Sequence, residues 1–288
     1  MEQVRTVLKW AGSKIRIMDV LKEHLPAGHR LVEPFAGSCA VMMNTDYSEY
    51  LIADINPDLI NMYKVIKEKP LAFIRTAKNL FESSNDAESF YNIRLGFNLG
   101  GLTDFNRAVV FLYLNRHCFN GLCRYNQTGG FNVPYGKYKA PYFPKNEILL
   151  FAEKAKRANF ICCSFDEALG MVQPGDVVYC DPPYLPASSS ANFTGYSAAC
   201  FGGFEHGLLS ANLLALAEQN YPVVASNSDT RESRGLYGKF EIVELNAPRS
   251  VGAAASSIKS APEIIAKILP KEPQHWSFVQ EEETEGAE

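Results

Sequence analysis

Short apolar runs alternate with helix-patterned stretches along most of this chain, and that alternation admits few architectures. Residues 31–33 and 50–53 read as short buried strands, each ending in polar or small residues, and strand patterns return at 160–163, 177–180, 222–225 and 240–245. Helical patterns follow at 38–44, with Ser38 as candidate cap, and at 58–67, 147–157 and 205–219. The expected fold is α/β, a Rossmann-like doubly wound sheet whose ligands sit at the carboxyl ends of its strands. Between about 56 and 144 the pattern changes. Residues 73–81, 88–97 and the strongly apolar 107–116 read as helices, and an irregular stretch rich in Gly, Asn, Pro and Tyr runs to Pro144. The chain therefore divides into a sheet domain (1–55 and 145–270), an inserted helical module (56–144) and an acidic tail (271–288) expected to be disordered.

With 288 residues and 47% hydrophobic content the chain can bury one large core, or a core and a smaller module. It has no apolar stretch of membrane-spanning length and no secretory leader pattern. Seven cysteines, at 39, 118, 123, 162, 163, 180 and 200, form no CxxC pair, which fits reduced thiols in a cytoplasmic protein and argues against a zinc site. A monomer needing no metal is the expected state.

The formal charge of −4 argues against a polyanionic partner until its distribution is considered. The tail holds six acidic residues and one lysine, which leaves residues 1–270 with 27 basic and 26 acidic side chains. Residues 107–146 contain Arg107, Arg116, Arg124, Lys137, Lys139 and Lys145 and no acid at all. That segment points to nucleic acid.

Asp181-Pro182-Pro183-Tyr184 follows the apolar run Val177 to Cys180. A carboxylate, a stiff backbone with a carbonyl lacking local partners, and a stacking ring at one strand end suit an exocyclic amine on a flat heterocycle; a rigid turn after a strand is the plain alternative. A second group suits a methyl donor. Glu33-Pro34-Phe35-Ala36-Gly37-Ser38 turns a strand into a helix with small residues at the turn. Asp54 ends the next strand, where an acid can accept both hydroxyls of a ribose, or else cap the helix after Pro57. Trp10, between Lys9 and Lys14, offers a pocket wall, and Lys14 could reach a ligand carboxylate. Phe165, just past a strand end, could pack on an adenine ring or cover a helix end. Cys180 reads as strand core.

In this order the segments KWAGSK (9–14), EPFAGS (33–38), ADIN (53–56), FLYLNRHCFNGLCRYN (111–126), FNVPYGKYKAPYFP (131–144), VVYCDPPY (177–184), ANFTGY (191–196) and SNSDT (226–230) resemble the Dam family of DNA adenine-N6 methyltransferases, which act on GATC. The likeness runs from about Leu8 to Leu269. It implies S-adenosyl-L-methionine as donor, with Trp10 and Lys14 at its methionine end, Asp54 at the ribose, Phe35 and Phe165 lining the pocket, and Asp181 and Tyr184 shared with the target base. It implies catalysis by Asp181, Pro182 and Tyr184 on a base flipped out of double-stranded DNA. DNA contacts would come from Lys9, Phe119, Asn120, Leu122, Arg124, Pro134, Lys137, Tyr138 and Lys139. Arg124 suits guanine, Asn120 and Asn126 paired amide contacts, Leu122 and Pro134 a thymine methyl, and Phe119 the gap left by the flipped base. Tyr113 and Tyr125 read as packing residues.

Three positions depart from the family pattern: Ser13 for a second glycine, Lys137 for an arginine, and a loop at 249–259 with fewer cations. The residues alone leave other readings open: an amino methyltransferase on N4 of cytosine or on RNA adenine, or a DNA-binding regulator without catalysis.

Overall fold

The computed structural model describes residues 3–185, 201–248 and 260–270. Seven strands form one sheet: β1 (Arg30–Glu33), β2 (Glu49–Asp54), β3 (Ala158–Cys162), β4 (Asp176–Cys180), β5 (Val223–Ser228), β6 (Glu241–Pro248) and β7 (Ser260–Ile268), in the spatial order 3-2-1-4-5-7-6. The first five run parallel; β7 pairs antiparallel with both β5 and β6. Successive strands step outward from β1 in one direction through β2 and β3, and in the other through β4 and β5. The order thus reverses between β1 and β4, the place where an open α/β sheet leaves a crevice for ligands.

Burial explains the apolar centres of β4 and β5, and it extends to the polar Ser226, Asn227 and Ser228 that end β5. All five residues of β4 and all six of β5 are buried, as expected for a sheet covered on both faces. Val177 and Tyr179 join the core on one face, while Val178 and Cys180 join the core on the other, following the two-residue period of a strand.

The helices are α1 (Met18–His24), α2 (Ala40–Asn44), α3 (Pro57–Glu68), α4 (Pro70–Ser83), α5 (Ala87–Leu99), α6 (Asp104–His117), α7 (Lys145–Ala155), α8 (Phe165–Leu169), α9 (Gly203–Glu218) and α10 (Arg231–Leu236). Helix α3 packs against β2 and β3 as well as α6 and α7, so it belongs to the sheet layer and to the helical module alike. Helix α6 is buried almost all round, as its apolar sequence requires. Its last turn carries buried polar side chains, two of which hold the N-terminal segment. Asn115 accepts from the Lys9 N–H at 3.0 Å and donates to the carbonyls of Lys9 and Gly121. Arg116 donates to the carbonyls of Thr6 and Val7. The N-terminal segment is thereby stitched to the module's longest buried helix.

Two sequence expectations change here. Ser38 is not a helix cap; α2 starts after Cys39, which takes a left-handed φ of 56°, and the Ser38 hydroxyl pairs with Ser13 instead. Strand β7 was not anticipated, because Pro262 interrupts its pattern. Pro262 pairs with Asn246 of β6 and lies one residue past the last β5 partner, so its missing N–H costs little.

Candidate active site

The carboxyl ends of β1, β2 and β4 bring Glu33, Asp54 and Asp181 to one rim. Asp181 has two distinct oxygens. Oδ2 lies 2.7 Å from Lys14 Nζ, which also donates to the Gly12 carbonyl at 2.8 Å. Oδ1 is buried with no partner among the described residues. Burial pushes the Asp181 carboxyl above the ordinary aspartate range, and the Lys14 cation opposes that shift. Lys14 therefore meets a protein carboxylate, where the sequence suggested a ligand carboxylate.

Tyr184 completes the cluster. Lys14 Nζ lies 4.7 Å from its ring centroid, and its hydroxyl donates to Glu263 Oε2 at 2.9 Å. The Asp-Pro-Pro-Tyr segment is fastened from outside. His206 of α9 bonds the Pro183 backbone, and burial lowers its pKa to about 4, so the ring is neutral. Asn227 Oδ1 accepts from the Leu185 N–H, and the Ser228 hydroxyl donates to the Leu185 carbonyl at 2.7 Å. Cys180 sits fully buried beneath, its thiol pushed well up by burial, as strand core.

On the β1–β2 side, Asp54 Oδ2 accepts from the Gly37 N–H at 3.0 Å and Oδ1 from the Asn56 N–H at 2.9 Å. Burial raises its carboxyl above the usual range and these two N–H groups oppose the shift. Asp54 is not the cap of α3: Asn56 takes that role, accepting from the N–H groups of Asp58 and Leu59. Gly37 has a φ of +45°, and a Cβ there would sit 2.9 Å from Trp10 Nε1. The indole thus covers the turn closely, and only glycine fits. Phe35 and Phe165 stack at 5.6 Å with 21° between planes, and Phe201 meets both rings. Phe165 opens α8, whose cap is Ser164 paired with Glu167.

The module presents its loop residues in a different setting. Phe119, Asn120, Arg124, Pro134, Lys137 and Lys139 are exposed, Leu122 and Tyr138 half-buried. Lys9 Nζ lies 4.1 Å over the Tyr138 ring, and the Asn120 N–H donates to the Tyr138 hydroxyl. Asn120 and Lys137 both take left-handed φ values, 55° and 56°. Arg124 is oriented by Asn132, its Nε 2.8 Å from Oδ1. The Asn126 side-chain Oδ1 accepts from Thr128 and from the Gly130 N–H and so builds the turn. Tyr125 donates to Asp58 and Tyr113 to Ser84 O, both in the module's packing.

The basic stretch is less available than its composition suggests. Arg107 forms an ion pair with Asp58 and lies 4.0 Å over Phe97, while Arg116 is buried against backbone carbonyls. The sequence alone assigns no role to Asn115, His206, Asn227 and Glu263; Asn115 and Asn227 fall within the motif segments 111–126 and 226–230, whereas His206 and Glu263 fall in none. The loop at 249–259, the segment 191–196 and the tail 271–288 lie outside the described residues. Among the described residues no cluster of His, Cys, Asp and Glu could hold a metal ion, and no helix is long and apolar enough to cross a membrane.

Comparison with known proteins fixes the family. Residues 10–251 match the sequence model of the D12 class N6 adenine-specific DNA methyltransferases. The chain is 57% identical over 262 residues to the retron Ec67 DNA adenine methylase of Escherichia coli, covering 91% of this chain and 90% of that one. It is 44% identical over 272 residues to a DNA adenine methylase of Vibrio cholerae, covering 94% and 98%. Against the DNA adenine methylase of Escherichia coli strain K12 it is 43% identical over 271 residues, covering 94% and 97%. A sheet whose switch point carries Asp181 beside the Gly37 turn, in a chain matched over nearly its whole length, belongs to the D12 class of N6 adenine-specific DNA methyltransferases.

Proposed function

We propose that this protein methylates N6 of adenine in GATC sites of double-stranded DNA, with the base flipped out of the helix, using S-adenosyl-L-methionine as donor. The observation that carries the reading is the split duty of Asp181. One oxygen is held by Lys14, and the other is a buried acceptor without a partner among the described residues, ready for an N–H.

The residues on the β1–β2 side fit the donor. Trp10 closes over the Gly37 turn, Asp54 is a buried carboxylate beside that turn, and Phe35 and Phe165 supply apolar surface. Asp54 would take the ribose hydroxyls and Trp10 the methionine end, with Lys14 engaged by Asp181. When bound, this cofactor supplies an electrophilic methyl group on a sulfonium.

The chain's own residues then act on the amine. An adenine amine is a poor nucleophile because its lone pair is delocalised into the ring. Hydrogen bonds from its two protons to Asp181 Oδ1 and the Pro182 carbonyl favour a pyramidal nitrogen with an available pair. Tyr184 stacks on the base and holds it in line, so positioning supplies much of the acceleration. As the nitrogen gains a fourth bond, Asp181 stabilises the positive charge, and the proton then leaves to Asp181 or to water.

Lys9, Phe119, Asn120, Leu122, Arg124, Pro134, Lys137, Tyr138 and Lys139 form the proposed DNA surface. Expression in a host lacking its own GATC methylation, followed by sequencing that maps modified adenines, tests the assignment. Modification confined to another sequence would refute GATC. Replacing Arg124 by Ala is expected to relax discrimination at one base pair by about 1–3 kcal/mol. Equal weakening on every sequence would make Arg124 a phosphate contact. For Lys139→Ala the expectation is reversed: a salt slope smaller by about one unit and an unchanged preference.

A further inference from the structure

The carboxylate of Glu263 lies outside every motif that marks the active site, yet it touches the ring at its centre. Tyr184 is the last residue of Asp-Pro-Pro-Tyr, and its hydroxyl donates to Glu263 Oε2 at 2.9 Å. The mount of that carboxylate is stiff. Strand β7 lies between β5 and β6, so Glu263 is paired across to Ser228 on one side and Leu245 on the other. By contrast, Tyr184 itself sits in a loop whose backbone is held at its neighbours, Pro183 by His206 and Leu185 by Asn227 and Ser228, so the orientation of its ring depends on side-chain contacts. Without the hydroxyl tether to Glu263, the ring loses the contact that fixes its far end and keeps the Lys14 cation over its face. Burial raises the Tyr184 phenol well above its ordinary range, so the hydroxyl remains a donor.

We propose that Glu263 is a positioning residue for methyl transfer, holding the Tyr184 ring through its hydroxyl in the plane on which the flipped adenine stacks. The inference rests on the reading of Tyr184 as the stacking platform. A platform rotated by a few tens of degrees still offers apolar surface to a base. It no longer sets the direction of the amine relative to Asp181, and misplacement on the ångström scale can cost about a hundredfold in rate. The defect should therefore appear in the chemical step and leave cofactor affinity alone. The acceptor is what the role requires, so an uncharged acceptor of the same length should serve.

The test is a double-mutant cycle on the full-length protein, with single-turnover methyl transfer to a duplex oligonucleotide as readout. A second readout is the fluorescence of 2-aminopurine at the target position, which reports stacking of the flipped base. Glu263→Ala is expected to slow methyl transfer at least about tenfold with cofactor affinity unchanged, and to alter the 2-aminopurine signal. Glu263→Gln should stay within about threefold of wild type, because the amide oxygen still accepts the hydroxyl. In the Tyr184→Phe background Glu263→Ala should have little further effect, since the hydroxyl it acts through is gone. Equal loss in both backgrounds, or Glu263→Gln as impaired as Glu263→Ala, overturns the proposal. If Glu263→Ala does not fold, Tyr184→Phe and Glu263→Gln decide: the first must reproduce the slow step and the second must not. Tyr184→Ala separates the two levels. Should it retain full activity, the stacking reading itself fails; should it be inactive while the cycle is additive, only the role of Glu263 fails.

Discussion

Asp181→Ala is expected to lower the rate of methyl transfer by about three orders of magnitude or more while leaving DNA affinity within about threefold. The size follows from what the side chain does twice. In the proposed mechanism it supplies the acceptor Oδ1 for the amine, and it is the only carboxylate in contact with Lys14 among the described residues. Its removal takes away the acceptor and leaves a buried lysine facing no counter-charge, so the folded state should also lose stability. Asp181→Asn separates these losses. The amide keeps the volume, can accept one hydrogen bond and bears no charge; the developing positive charge on nitrogen then goes unstabilised, and a loss of about two orders of magnitude is expected. Single-turnover rates, with circular dichroism to confirm the fold, provide the measurement. Retention of activity within tenfold by the alanine variant would rule out Asp181 as the amine's acceptor. The pH profile adds a sign. Burial raises the Asp181 carboxyl and Lys14 pulls it down, so Lys14→Met should move the acid limb of activity to higher pH, because more of the acceptor is then protonated at a given pH.

The parts of this molecule that sequence makes legible are those in which one local pattern carries both structure and chemistry. Asp181 ends an apolar run, so its position at a strand's carboxyl end follows from the run itself. Glu33, Gly37 and Asp54 are readable for the same reason. Pairings between distant segments leave no such trace. Glu263 meets Tyr184 across 79 positions of chain, and Asn115 holds Lys9 across 106. Charge is the least legible of all. Arg107, Arg116 and Arg124 look alike in a basic stretch, but the first is paired with Asp58, the second holds the backbone of residues 6 and 7, and only the third is exposed. Composition counts cations; burial decides which of them can meet a phosphate. Strand β7 was hidden by a proline whose position becomes tolerable only once its neighbours are known.

Glu33→Gln should change the pH dependence of stability more than any other single substitution at the site. Glu33 ends β1 beside the reaction centre, is 3% exposed, and leaves Oε1 without a partner among the described residues. Burial pushes its carboxyl up to about 8 from an ordinary 4.5; the Met42 N–H opposes this and the Asp181 charge adds to it. A carboxyl whose pKa is raised by folding contributes stability that is complete below the unfolded value and is lost as pH rises towards the folded one. The parent protein should therefore lose up to about 1.4 kcal/mol per pH unit from this group between 4.5 and 8, or of order 3 kcal/mol by pH 7. Glutamine does not titrate, so the variant's stability relative to the parent should climb across that window. The buried histidines at 117 and 206, both lowered to about 4 by burial, work in the opposite direction below pH 6.5, but they are present in both proteins and cancel in the difference. The second N–H of the amide adds a constant offset, which leaves the slope untouched. Urea unfolding at pH 5, 6.5 and 8, with unchanged m, measures it. Parallel stability curves for the two proteins would mean that Glu33 is ionised in the folded state. In that case a second negative charge would stand beside Asp181. A neutral Glu33 leaves Asp181 and Lys14 as a balanced pair, and that balance is what lets a buried aspartate remain an anion able to accept an amine.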